Sequence, residues 1–440
     1  CPKWADPSDA AYSHAGVPSR KEGIMSSLSR SSKLLTLAAV LGVVSTTGCA
    51  PQDTPSRSEA DAVSSMQEGS LVHDGQELFG HYYQPEPFPQ PLPDDLHSHE
   101  GWTWGSMAAV FAESQDRIWI AMRGELPLPE GAEPWTPYSL LNPSRGNAPP
   151  TDDNGRRGYE RRYLHVMIAV NSEGELVEYW PQHDEFFDVR GGRGPHKIKM
   201  SPYDDEKHIW VVDDNLHEIH KFTYDGELVL THGERGVSGR GPNNFSRPTD
   251  IAWLPDGTYF ISDGYVGTRV AKFDADDNFI MDWGQAPVDP ANPGPNEFNT
   301  VHAIAISEDR SVYVSDRAHG RVQVFDENGN FQFMFPTGPR GKSLPYAIEI
   351  FRDPTGEEFL WVADGVANRM LKYDLKGNYL YGWGTPGSDY GHFNGPHSIT
   401  TDQDGNLYIA EVFSGRVQKF VPRPGADSAK LVGQQLREWN

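Results

Sequence analysis

Between about residues 106 and 420 the chain alternates apolar and polar residues in short runs, and no long stretch carries the 3.6-residue spacing of an amphipathic helix. Segments such as SDGYVGTRVAKF, SDRAHGRVQVF, ADGVANRMLKY and AEVFSGRVQKF therefore read as strands. Tight turns (YDGE, DDNF, ENGN, LKGN) each lead into a closing element: ELVLTHG, NFIMDWG, NFQFMFP and NYLYGWG. Asn-Gly and Asp-Gly suit such hairpins because their central residues must take positive φ.

The pattern repeats. The first strand of each unit aligns as SMAAV, HKIKM, TDIAW, HAIAI, YAIEI and HSITT, starting at residues 106, 196, 249, 302, 346 and 397. Successive gaps are 90, 53, 53, 44 and 51 residues, and four of the five suit a four-stranded propeller blade. The first gap is stretched by a Pro-rich insertion at about 124–160. Six such units predict an all-β fold, a closed six-bladed β-propeller, since an open stack would leave a long unpaired edge. How the ring closes is open: the tail KLVGQQLREWN either completes the last blade or covers it.

In a propeller the innermost strand of each blade runs along the central channel, so its first residue stands at one mouth. Blades two, four and six begin with His196, His302 and His397; the others begin with Ser106, Thr249 and Tyr346. Three imidazoles thus converge from directions one third of a turn apart, more than 16 histidines among 440 residues would place there by chance. Three nitrogen ligands with an open fourth position suit zinc, or another divalent transition metal. His217 and His220 fall in an outer strand and His97 and His99 precede the first blade, so none is assigned to the site. The second strands end at the same mouth with Arg123, Tyr265, Arg317 and Glu411. Arginine there can hold a carboxylate or an oxyanion, and tyrosine beside a cation can act as a base. Arg321, Arg369 and Arg416 recur at one repeat position and read as links between blades. The insertion carries Trp135 and Tyr138, with Arg156, Arg157, Arg161 and Arg162 near its end. It reads as a lid or as a disordered excursion.

Composition narrows the partners. Lys+Arg number 38 against 62 Asp+Glu, a formal charge of -24, which argues against nucleic acid. The two cysteines, Cys1 and Cys49, precede the repeats, leaving His, Asp and Glu as metal ligands. Met25, Arg30, Lys33 and the apolar run 34–44 resemble a signal peptide ending at a lipobox-like Thr47-Gly48-Cys49. The expected organisation is residues 1–24 as non-native or misannotated sequence, 25–48 as leader, 49–100 as lipidated Cys49 and linker, and 101–440 as propeller. The chain would be exported as a bacterial lipoprotein, touching the membrane only through Cys49, and would be a monomer.

The ordered motifs around VVDDNLHEIHKF, RPTDIAWLPDGTYFISDGYVGTRVAKFD, SVYVSDRAHGRVQVF and GPHSITTDQDGNLYIAE resemble the lyase domain of peptidylglycine α-amidating enzymes, an NHL-repeat propeller, over residues 104–420. That resemblance implies NHL-type repeats, a catalytic zinc on His196, His302 and His397, a catalytic Tyr265, and active-site arginines at Arg123 and Arg317. It also implies cleavage of a peptidyl-α-hydroxyglycine, or a related N-(α-hydroxyalkyl) amide, to an amide and glyoxylate. Two departures stand out. Gly395 replaces the family's methionine, and Ser398 replaces an aspartate that binds a structural calcium, which puts that calcium in doubt although the Ala108 and Ile198 carbonyls remain available. The competing readings are a non-catalytic NHL scaffold and a metal-dependent propeller hydrolase or lactonase. The last usually binds a hard cation through carboxylates and amides, whereas the inner strands here open with His, Ser, Thr and Tyr.

Overall fold

A computed structural model describes residues 78–436 apart from 95–96, 129, 134, 138–160, 189–193, 205 and 340. The expected leader, Cys49, Tyr138, Arg156 and Arg157 lie outside the described residues. Among the described residues no helix is long and apolar enough to cross a membrane.

The strands form six antiparallel blades, and the molecule is a six-bladed β-propeller. Blade 1 comprises Met107–Ser114, Arg117–Met122, Met167–Val170 and Leu176–Tyr179, with the insertion between its second and third strands. Blade 2 runs from Lys197–Met200 to Leu228–His232, blade 3 from Pro248–Trp253 to Phe279–Trp283, and blade 4 from Val301–Ile306 to Phe331–Pro336. Blade 5 runs from Pro345–Arg352 to Tyr379–Trp383, and blade 6 holds Pro396–Thr401, Leu407–Glu411 and Arg416–Phe420.

The hairpins form for a reason beyond glycine. In the turns opened by Asp274, Asp326, Asp374 and Asp402, the aspartate Oδ1 accepts the backbone N–H groups two and four residues on. This side-chain turn replaces a backbone one and sets the register of the strands it joins. The alternate apolar positions pack between neighbouring blades: Val270 and Trp283 of blade 3, for example, meet Ile304 and Val314 of blade 4.

The tail adds no strand to blade 6 but lies against it, with Gln435 Nε2 donating to Thr400 Oγ1 and Thr401 O and Val432 packed among Leu407, Ile409 and Phe420. Residues 81–83 lie antiparallel along 421–423, with Tyr83 N donating to Val421 O at 2.9 Å and Arg423 N to His81 O at 3.1 Å. The N-terminal segment thereby covers the outer edge of the three-stranded sixth blade. Tail residues Gln434–Gln435 instead extend blade 5 beyond its inner strand, pairing with Phe351 and Arg352.

Candidate metal centre

Five of the six inner strands open with an irregularity, and that of blade 2 pairs regularly from Lys197. In blades 1, 3, 5 and 6 the register slips around Ala108, Thr249, Tyr346 and His397, and in blade 4 across His302 and Ala303. A bulge re-aims one side chain without disturbing the strand beyond it. The blade 1 counterpart of the histidines is thus Ala108 and not Ser106, whose hydroxyl donates to Val412 O at 2.8 Å.

The three imidazoles meet. Ring centroids lie 4.9 Å apart for His196–His302, 4.6 Å for His196–His397 and 5.0 Å for His302–His397. Each Nδ1 is bound to a backbone carbonyl of the next blade: His196 to Thr249 O at 2.6 Å, His302 to Tyr346 O at 2.6 Å and His397 to Ala108 O at 2.8 Å. A carbonyl only accepts, so Nδ1 carries the hydrogen in all three rings and every Nε2 presents a lone pair. Burial holds all three pKa values well below the usual histidine range, aided at His196 by His397 and Arg123, at His302 by Arg317 and His196, and at His397 by Arg123. Three neutral nitrogen donors with fixed tautomers, their ligand atoms within 4.8 Å of one another, fit a divalent transition ion.

Tyr265 stands over this group. Its hydroxyl is 3.0 Å from His302 Nε2 and 3.2 Å from His196 Nε2, and Arg317 Nη1 approaches it at 3.5 Å. The turn that presents it depends on Gly264, where a Cβ would lie 1.6 Å from Val301 O. The tyrosine ring lies between two guanidinium groups, with Arg247 Cζ 4.3 Å and Arg317 Cζ 5.0 Å from its centroid. Arg123 is buried beside His196, its Nε donating to Pro195 O at 3.2 Å.

Two residues of this network escaped the sequence reading. Asp214 receives Arg247 through both Nε and Nη2, and its other oxygen is 3.7 Å from Arg123 Nη2. Arg247, at φ 64°, also accepts the N–H groups of Gly264 and Tyr265 on its carbonyl. The signal available was the doubled aspartate of VVDD, where blades 3 to 6 have a single acid and blade 1 has Met122.

Glu411, expected at the mouth, turns into blade 6. Arg416 Nε binds it at 2.7 Å, with Ser414, Gln418 and the Asn394 N–H completing its shell. Arg416 and Arg321 each also bind carbonyls of the connector entering their own blade, and Arg269 does the same in blade 3. At Gly395, φ is 72° and a Cβ would lie 2.3 Å from the ring of Phe413, so that aromatic ring occupies the space of a side chain there. Ser398 bridges to Val110 of blade 1, and the Ala108 carbonyl is engaged by His397. Farther along the inner strands, Lys199 Nζ lies 3.1 Å from Asp250 and 2.7 Å from Glu349, with Lys197 3.6 Å from each, so the chain brings its own cations to these acids.

No family model matches the chain. Among curated proteins it is similar to peptidyl-alpha-hydroxyglycine alpha-amidating lyase 1 of Drosophila melanogaster, at 29% identity over 310 residues, covering 64% of this chain and 54% of the relative. It is also similar to the probable peptidyl-alpha-hydroxyglycine alpha-amidating lyase pgal-1 of Caenorhabditis elegans, at 33% over 230 residues, covering 51% and 62%. The chain resembles the amidating lyases. It spans about half the length of the Drosophila lyase and 33% of the mouse peptidyl-glycine alpha-amidating monooxygenase, to which it is 27% identical over 355 residues, 76% of its own length. Among solved structures, the fold matches a streptogramin B lyase over 78% of this chain and 99% of that chain, with 15% identity and a TM-score of 0.44, a likeness too loose to carry an inference.

Proposed function

We propose that the protein is an exported, metal-dependent carbon–nitrogen lyase that cleaves an N-(α-hydroxyalkyl) amide, such as a peptidyl-α-hydroxyglycine, to an amide and an aldehyde, glyoxylate in that case. The observation that carries the reading is the tautomer lock: three Nδ1–H groups held by three backbone carbonyls aim three Nε2 lone pairs at one point beneath Tyr265. His196, His302 and His397 would hold zinc or a similar ion, whose positive charge favours loss of the proton from the substrate hydroxyl.

The chain's own groups supply the rest. The C–N bond breaks as the hydroxyl proton leaves and the C–O bond becomes a carbonyl; the bonding pair goes to nitrogen, which takes up a proton. Tyr265 is placed to accept the hydroxyl proton. Arg317, which reaches the tyrosine oxygen, and Arg123, buried beside His196, would bind the substrate carboxylate or polarise its amide carbonyl. The substrate is peptide-derived or small. Lipid anchoring through Cys49 and a monomeric state belong to the same proposal.

Two measurements test it. Metal analysis of purified protein should find an ion lost in His302→Ala, and incubation with α-hydroxyhippurate should release glyoxylate. A triad that takes up no ion on reloading, in a protein inert toward α-hydroxyglycine compounds, would leave the scaffold reading standing.

A further inference from the structure

Among the described residues one other group of side chains brings ligand atoms within 4.8 Å of one another: His99, Glu125 and His165, all buried. They arrive from three segments. His99 precedes the strand Trp102–Trp104, Glu125 opens the strand Glu125–Pro127 paired with it, and His165 lies where the chain re-enters blade 1 after the insertion. Glu125 Oε1 is 3.3 Å from His99 Nδ1 and 2.9 Å from His165 Nδ1, and the two rings are 4.9 Å apart. Ligands at about 2.0–2.1 Å from a tetrahedral zinc lie about 3.3 Å from each other. The two imidazole–carboxylate distances are close to that spacing, and all three ligand atoms lie within 4.8 Å of one another.

The environment of His99 points the same way. Its Nε2 is buried without a hydrogen-bond partner among the described residues, and the Trp135 ring lies 4.4 Å away, centroid to centroid. An N–H at that position can face an aromatic ring, a weak acceptor, whereas a bare lone pair there would be left with nothing. The hydrogen on Nε2 leaves the Nδ1 lone pair beside a carboxylate, an arrangement that a cation stabilises. Arg162 neutralises Oε2, itself 3.4 Å from His99 Nδ1, with Nη2 and Nε 2.6 and 2.8 Å from that oxygen, and is held in turn by Ser98 O at 2.9 Å. Its Nη2 reaches only to 3.4 Å from His99 Nδ1. Oε1 lies on the side of the two imidazoles.

We propose that His99, Glu125 and His165 bind a divalent transition ion, zinc or a first-row neighbour, at a second site independent of the histidine triad. Two imidazoles and a carboxylate are donors such ions accept, with a further position open to water. The ion would fasten the segment before blade 1 and the end of the insertion to the blade, and with them Trp135, whose ring packs on both His99 and Trp104.

The test is metal stoichiometry after reloading with zinc, in the wild-type protein, His302→Ala, His165→Ala and the double variant. His165→Ala should lose one equivalent that His302→Ala keeps, and the double variant should hold none. Should His165→Ala not fold, Glu125→Gln in the His302→Ala background replaces it, read by circular dichroism and by cobalt absorption. There the visible cobalt bands of the parent should disappear, or the cobalt affinity fall at least tenfold. His165→Ala holding as much metal as the wild type, or unchanged cobalt bands in the Glu125→Gln variant, would overturn the proposal. So would an Arg162→Gln variant that gains an equivalent the wild type lacks, because the guanidinium would then be the native cation. Failure of the triad reading is distinguishable, since it would show as no difference between wild type and His302→Ala.

Discussion

Arg247 holds Tyr265 twice: its guanidinium lies over the phenol ring at 4.3 Å, and its carbonyl accepts the Tyr265 N–H at 3.2 Å. Asp214 in turn fixes the guanidinium through two nitrogens. Arg247 is therefore a positioning residue that also supplies positive charge beside the proposed base. Arg247→Gln should lower kcat by about 10²-fold with little change in KM, and should move the acidic limb of the pH–rate profile upward, because a phenol without its cation is a weaker acid and the base must be deprotonated to act. Arg247→Lys should restore part of that limb. An unshifted profile with normal kcat would leave Arg247 only a structural part.

Tyr265 itself is tested by removing one atom. Tyr265→Phe keeps the ring between Arg247 and Arg317 but deletes the hydroxyl that faces His196 and His302. Metal content should stay at the wild-type level while turnover falls by about 10²–10⁴-fold. Equal turnover in the variant would remove the tyrosine from the chemistry.

Much of this was readable in the chain. Period-two strands, Asp-stitched turns and recurrent closing elements carry the six blades, and the alternation of His196, His302 and His397 places three rings around one axis. What was not readable has physical causes. A bulge adds a residue, and that shifts the blade 1 equivalent from Ser106 to Ala108, whose side chain bears no chemistry while its carbonyl does. Arg247 lies outside the strands' repeating pattern, and only the doubled aspartate of VVDD marks Asp214. Glu411 looked like a mouth residue because it follows a strand, but it belongs to the acid–arginine pair that recurs as Asp263–Arg269 and Asp316–Arg321. The ring closure rests on a few residues, 81–83, in a Pro-rich stretch with no strand pattern.

Blade 2 breaks that pair, and this sets a pH dependence. Opposite Asp213 stands Glu218 in place of arginine. Burial, then the neighbouring Asp214, pushes the Asp213 carboxyl up to about 7, with one oxygen unpartnered among the described residues. The folded protein thus holds this proton more tightly than the unfolded chain, whose carboxyl titrates near 3.8. The associated stability is complete below the unfolded value and is lost as pH rises toward about 7 and through it. Asp213→Asn removes the titration and keeps an acceptor for the Asn215 and Leu216 N–H groups. Denaturant melts from pH 4 to pH 8 should show the wild type losing on the order of a few kcal/mol relative to the variant. Parallel curves for the two proteins would contradict the assignment.

The seam between the chain's two ends makes a separate prediction. Tyr82 is fully buried, with its ring 5.6 Å from Trp383 and 6.1 Å from Phe420, and its hydroxyl accepts the Val432 N–H at 2.8 Å. One side chain therefore ties the N-terminal segment, blades 5 and 6 and the tail together. Tyr82→Ala should cost about 3–5 kcal/mol from the lost aromatic packing alone. Tyr82→Phe keeps the packing and leaves one N–H unpaired, which costs about 1–3 kcal/mol. Urea unfolding of both variants separates the two contributions. If closure rests on this seam, Tyr82→Ala should also expose the edge of blade 6, so that residues 416–420 lose amide hydrogen-exchange protection before the other blades do. Protection lost evenly around the ring would mean that the propeller closes by the packing of its six inner strands and that Tyr82 is only a core residue.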